Sequence, residues 1–144
     1  MKVKIRNTSN NPIPKYETEH SAGFDLRADL NEPMNLKPME RALVPTGLYI
    51  ELPAGTEGQV RPRSGMAYKK GVTVLNSPGT IDSDYRGELK VILINLSDQD
   101  LTIENGDRIA QLVVARYEQI QFENAEELSV SERGSGGFGH TGNN

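Results

Sequence analysis

Glycine and proline punctuate this chain at intervals of about eight to twelve residues, the spacing of a fold made from many short strands. There are 14 glycines and 8 prolines among 144 residues, and no run between them keeps a sustained helical period. Segments this short must bury their apolar side chains by pairing as strands. The predicted strands are 2–6, 43–52, 57–61, 72–75, 88–96, 101–103 and 108–117. Gly47 to Pro53 alternates apolar and polar residues as a half-buried strand does, whereas Val91 to Leu96 reads as buried on both faces. One short helix is predicted at Ser64–Lys70, with Ser64 as its cap and Gly71 as its stop. No internal repeat is evident. The expected fold class is all-β, a sandwich or barrel of jelly-roll type. From Glu123 onward the chain turns polar, and "GSGGFGHTGNN" follows Arg133. The expected organisation is a β domain over 1–132 and a mobile tail over 133–144, which has almost nothing to bury.

Composition removes several function classes. A length of 144 residues with 35% hydrophobic and 25% charged content describes one globular domain. The chain has no cysteine, so neither a disulfide framework nor a thiolate metal site is available. His20 and His140 lie far apart, which argues against a histidine-rich zinc site. A net charge of -4 argues against a nucleic-acid partner, because such binding rests on neutralising phosphates. The apolar runs are too short to cross a bilayer, and "MKVKIRN" lacks the apolar core of a signal peptide. A cytoplasmic setting with no membrane partner is expected.

The loop "NSPGTIDSDYRGE" (76–88) crowds Asp82, Asp84, Tyr85, Arg86 and Glu88 between two apolar segments. A turn, a metal loop and a catalytic carboxylate are the alternatives. "DSDYRG" (82–87) imitates the start of a calcium-binding EF-hand loop, but Leu93 stands where the closing glutamate is required and strands flank it. Asp and Gly are ordinary turn residues, so on spacing alone a solvated hairpin turn accounts for the stretch. "GSGGFG" (134–139) matches the dinucleotide fingerprint, yet no strand precedes it and no room remains for a βαβ unit. Its backbone N–H groups can still wrap a phosphate chain, with Arg133 adding charge and Phe138 stacking on a base; a disordered end is the alternative. "RPRSGMAYKKG" (61–71) places four cations around a helix start, an anion site or a capped surface turn. Asp25 in "AGFDLRAD" stands between apolar neighbours, where a merely solubilising acid is less expected. Gln111 in "RIAQLVV" is a lone amide in an apolar strand and should have a partner; either can simply satisfy a neighbouring backbone.

In this order the stretches resemble the five motifs of the trimeric dUTPase family, the deoxyuridine triphosphate nucleotidohydrolases. They are "AGFDLRAD" (22–29), "PRSGMAYKKG" (62–71), "GVTVLNSPGTIDSDYRGE" (71–88), "GDRIAQLVV" (106–114) and "RGSGGFGHTG" (133–142). The resemblance spans nearly the whole chain. It implies a distorted jelly roll of the β-clip type and hydrolysis of dUTP to dUMP and diphosphate. In the family, the aspartate at the position of Asp82 activates the water that attacks the α-phosphorus. Tyr85 matches the tyrosine under the deoxyribose. Asn76 and the backbone of Gly79, Thr80 and Ile81 match the hairpin that reads uracil, and Lys90 falls at the end of that pocket. Arg63, Ser64 and Gly65 resemble the segment that holds the phosphates, and Gln111 the amide that touches them. Arg133 resembles the γ-phosphate ligand, Phe138 the lid over uracil, and Gly139 its neighbour in the tail motif. Mg²⁺ would be held mainly by the substrate phosphates, with Asp25 reaching it through a water. A homotrimer with shared active sites is implied, each site closed by the tail of a neighbouring subunit. One departure is Ser135, where many bacterial members carry Glu.

The related dCTP deaminases share the fold, but "PRSGMAYKKG" is not expected in one. A nucleotide-binding regulator that uses dUTP to switch a partner, and a purely structural trimer, are the readings from other classes. Retention of Asp82, Arg133 and Phe138 together favours the enzyme.

Overall fold

A computed structural model describes residues 1–137: eleven antiparallel strands and one helix share one apolar core. The largest sheet runs in the order β2 (Gly23–Arg27), β11 (Arg108–Arg116), β6 (Thr56–Arg61), β8 (Gly79–Ile81). A second sheet places β9 (Lys90–Asn95) between β4 (Arg41–Pro45) and β7 (Val72–Val74). Two ribbons complete the set, β1 (Lys4–Asn7) with β5 (Leu48–Glu51) and β3 (Met34–Leu36) with β10 (Leu101–Ile103). Leu26, Val60, Ile109 and Leu112 from the first sheet join Val44, Val91 and Leu93 from the second in the core. Each such side chain contributes about 1.5–3 kcal/mol by leaving water.

The helix α1 spans Ser64–Lys70, as the sequence predicts, and Gly71 ends it in the left-handed region at φ 64°. Ser64 is not its cap. Arg63 occupies that position in an extended conformation, and no side-chain hydrogen bond closes the first turn. Ser64 is therefore the first helical residue, with a hydroxyl that the helix does not use.

Three strands lie where the sequence gives no strand signal. In β2 the acid and base at Asp25 and Arg27 flank the fully buried Leu26, so the apolar alternation is hidden. β3 and β8 have 3 residues each, too few to show a period. The predicted strand 43–52 is in fact two, because the chain turns at Thr46 and Gly47. Gly47 has φ +66°, and a Cβ there would sit 2.7 Å from Ser9 Cβ and 2.8 Å from Asp29 Oδ2. Only glycine fits that turn.

Val91 to Leu96 is not buried on both faces. Val91, Leu93 and Asn95 point inward, whereas Ile92 and Ile94 are half-buried and Leu96 is exposed. Leu43 and Leu75 flank Ile92 on the same outer side and are 55% and 47% exposed. This face is apolar yet uncovered within one chain. Beyond β11, residues 118–137 form no strand and expose Ile120, Phe122, Leu128 and Val130. Among the described residues, no helix is long and apolar enough to cross a membrane.

Candidate active site

The hairpin that joins β7 to β9 builds a cavity of about 300 Å³. Leu43 and Ile92 supply apolar wall from the uncovered sheet face. Asn76, Thr80, Ile81, Asp82, Tyr85, Glu88 and Lys90 supply the rest, so six residues given a role in the sequence converge here together with Glu88. Gly79 lies buried in β8 beside them, paired with Val60. The Tyr85 amide donates to the Asp82 carbonyl at 3.1 Å, which folds residues 82–85 into a tight turn. Arg86 does not reach into the cavity; its guanidinium donates to Ser83 O at 2.7 Å and Tyr85 O at 2.9 Å. The Tyr85 hydroxyl donates to Glu88 O at 3.1 Å. Gly87 must lack a side chain, since a Cβ there would overlap that hydroxyl. The turn chemistry legible in the sequence is real, and it serves to hold an exposed carboxylate and an aromatic ring over one cavity.

At the end of the hairpin stands Glu88. Its Oε1 accepts from the amides of Thr46 at 3.2 Å and Gly47 at 2.9 Å. Its Oε2 lies 3.5 Å from Lys90 Nζ. Thr46, itself buried, donates its hydroxyl to Leu89 O at 2.6 Å.

The remaining site residues gather elsewhere. Gln111 faces Asp25 across the β11–β2 pair. Gln111 Nε2 donates to Pro62 O at 2.9 Å, so the lone amide has its partner. Ser64 and Gln111 line an open cleft of about 530 Å³ with Ser77 and Pro78. Gly65 is exposed in the first turn of α1. Asp25 accepts from Arg63 Nε at 2.7 Å and from Arg108 Nη1 at 3.3 Å. A register shift in β11 between Arg108 and Ala110 accompanies the second contact; such irregularities re-aim a side chain. The cavity of Asp82 and the cleft of Ser64 are separate. Arg133 lies in the exposed arm, with Nε donating to Gly136 O at 2.7 Å. Phe138 and Gly139 lie outside the described residues.

Among the described residues, no group of three or more His, Cys, Asp or Glu could hold a metal ion. Asp25 is a single carboxylate already facing two guanidiniums. One carboxylate can offer a water-mediated contact to a hydrated Mg²⁺ carried in by phosphates but cannot build a cage, and a metal there would share it with both guanidiniums.

Sequence reasoning gave no role to Arg108, Thr46, Leu43 or Ile92, and quoted Glu88 without assigning one. Arg108 and Glu88 stand inside the quoted motifs, where a charge beside an apolar strand was the available signal. Thr46 carried none.

Known proteins are similar to this chain over most of its length. A dUTPase family profile matches residues 9–142. A deoxyuridine 5'-triphosphate nucleotidohydrolase of Cytophaga hutchinsonii is 59% identical over 140 residues, covering 97% of this chain and 91% of its own. One from Treponema denticola is 63% identical over 130 residues, covering 90% of each chain. Among solved structures, the dUTPase of Staphylococcus bacteriophage 80alpha with dUpNHpp superposes at a TM-score of 0.89, with 28% identity over 98% of both chains. With five motifs in order, a hairpin cavity built by the third of them and a match over nearly its full length, the chain belongs to the dUTPase family.

Proposed function

We propose that this chain is a dUTP diphosphatase that hydrolyses dUTP to dUMP and diphosphate. The observation that carries the reading is the single cavity shared by Asp82, Tyr85, Asn76 and Lys90. Relatives named for this activity are 59% and 63% identical to it. Asn76 and the backbone of Gly79, Thr80 and Ile81 read the uracil edge, Tyr85 packs under the deoxyribose, and Lys90 closes the end of the pocket. Asp82 accepts a proton from water as its oxygen bonds to the α-phosphorus. The bond from that phosphorus to the oxygen bridging to the β-phosphate breaks, and diphosphate leaves with the electron pair. A positioned general base of this kind contributes roughly a hundred- to ten thousandfold in rate.

Arg63, Ser64, Gly65 and Gln111 bind the phosphate chain, Arg133 takes the γ-phosphate, and Phe138 with Gly139 covers the base. Mg²⁺, when bound with the nucleotide, neutralises phosphate charge, and Asp25 would hold its water shell. The unused hydroxyl of Ser64 and the amide of Gln111 sharing one cleft support this assignment. The working enzyme is a homotrimer of distorted jelly-roll subunits, each site drawing on more than one chain. Separate cavities in one chain, an uncovered apolar sheet face and an exposed arm over residues 118–137 support it.

Diphosphate release from a panel of deoxynucleoside triphosphates tests the activity. Asp82→Asn is expected to keep nucleotide binding and to lower turnover by about two to four orders of magnitude. More than half of the original turnover would remove Asp82 from the chemical step.

A further inference from the structure

We propose that Glu88 is a positioning residue that holds the Tyr85 ring in place and so sets how strongly the site rejects ribonucleotides. This rests on the reading of Tyr85 as the wall of the sugar subsite.

A wall excludes a hydroxyl only if it does not yield, and displacements of about 1 Å are enough to spoil such geometry. Packing against Gly87 does not by itself fix Tyr85, which is 45% exposed. A tether does. The Tyr85 hydroxyl donates to the carbonyl of Glu88, and the carboxylate of the same residue accepts from the amides of Thr46 and Gly47. Thr46 Oγ1 and the Leu89 amide add two more bonds between the hairpin end and the turn, to Leu89 O at 2.6 Å and Leu48 O at 2.8 Å. The turn cannot retreat. Behind it, Gly47 O accepts from Thr8 N at 2.8 Å and Thr8 Oγ1 at 3.0 Å, and Asp29 N donates to Pro45 O at 2.9 Å. Glu88 thus joins the half-exposed Tyr85 ring to the part of the fold clamped on both sides.

The ion pair with Lys90 does not explain the placement. Its separation is 3.5 Å and the Lys90 side chain is 43% exposed, a setting in which ion pairs contribute little. Two backbone amides on one carboxylate oxygen are charge-assisted bonds, and losing the acceptor leaves both donors without a partner.

The test compares kcat/KM for UTP and dUTP in Glu88→Ala, Glu88→Gln, Tyr85→Phe and Tyr85→Ala. Glu88→Ala should raise the UTP-to-dUTP ratio by at least about tenfold, the equivalent of roughly 1.4 kcal/mol. Glu88→Gln retains a carbonyl oxygen for both amides and should stay within about threefold of the original ratio. Tyr85→Phe cuts the other end of the tether; it should raise the ratio too, and adding Glu88→Ala should raise it no further. A purely structural role would lower the melting temperature and depress both substrates together, leaving the ratio unchanged. An unchanged ratio in Glu88→Ala, or a Gln variant as permissive as the Ala variant, overturns the proposal. Should Glu88→Ala fail to fold, an unchanged ratio in Tyr85→Phe overturns it instead. Hydrogen exchange at the Tyr85 amide separates the two ideas. If Tyr85→Ala leaves the ratio unchanged, the sugar-wall reading falls and the claim on selectivity with it. Faster exchange in Glu88→Ala alone would then still establish the tether, and unaltered exchange would remove it.

Discussion

Asp25 accepts from two guanidiniums at 2.7 and 3.3 Å, and the nearer belongs to Arg63, a residue assigned to the phosphate chain. Its side chain is 17% exposed, so the contact is only partly screened. An acid in this position fixes where both cations can stand before any phosphate arrives. Asp25→Ala is expected to lower kcat/KM for dUTP by about ten- to a hundredfold, since a charged hydrogen bond contributes about 1.5–3 kcal/mol. Asp25→Asn keeps an oxygen for Arg63 Nε and should recover part of the loss. Kinetics at rising Mg²⁺ concentration separate the two proposed roles: full recovery in excess metal would mean that Asp25 acts through the metal's water shell and not by orienting Arg63. Much of this cluster was legible. The amide inside an apolar strand announced a partner and has one in Pro62 O, and the acid between apolar neighbours is more than a solubilising charge, since it meets two guanidiniums. The identity of those partners was not legible, because Arg63 and Arg108 reach Asp25 across 38 and 83 positions of chain.

At the level of elements, the hairpin between β7 and β9 is proposed to read the base with its backbone and with a short strand, β8. A tight backbone edge leaves its own groups unpaired against a mismatched base, so it rejects better than an apolar pocket does. Hydrolysis of dCTP and dTTP should be at least roughly a thousandfold less efficient than that of dUTP, measured as kcat/KM in the same assay. A smaller gap would mean that the cavity selects by size alone. The helix and the longer strands were visible because α1 has a stop signal and β9 and β11 have runs long enough to show a pattern. β2, β3 and β8 were not, because a charged pair hides the alternation in the first and 3 residues show none in the others. The break inside 43–52 escaped for a different reason. Gly47 stands within an alternating run, and only the contact with Ser9 and Asp29 reveals that the chain must turn there.

At the scale of the whole molecule, one chain presents the Asp82 cavity and the Ser64 cleft as separate surfaces, together with an arm that packs against neither core sheet. If the arm of one subunit closes the site of another, two defective chains can repair each other. Asp82→Asn retains a good arm, and a chain ending at Glu132 retains a good Asp82. Each should be nearly inactive alone. Unfolded together and refolded as mixed trimers, they should regain a sizeable fraction of the original activity, whereas mixed trimers of confirmed mass that stay inactive would rule out shared sites. The apolar face formed by Leu43, Leu75, Ile92 and Ile94 explains why the sequence misled about Val91 to Leu96. A strand with one side in its own core and an apolar but uncovered outer side looks, in the sequence, like one buried on both sides. The split between cavity and cleft also carries a consequence for how such a protein behaves when scarce. If its catalytic centre is a product of association, turnover per chain follows mass action. Dilution then does not merely slow the enzyme in proportion; it dismantles the place where the reaction happens.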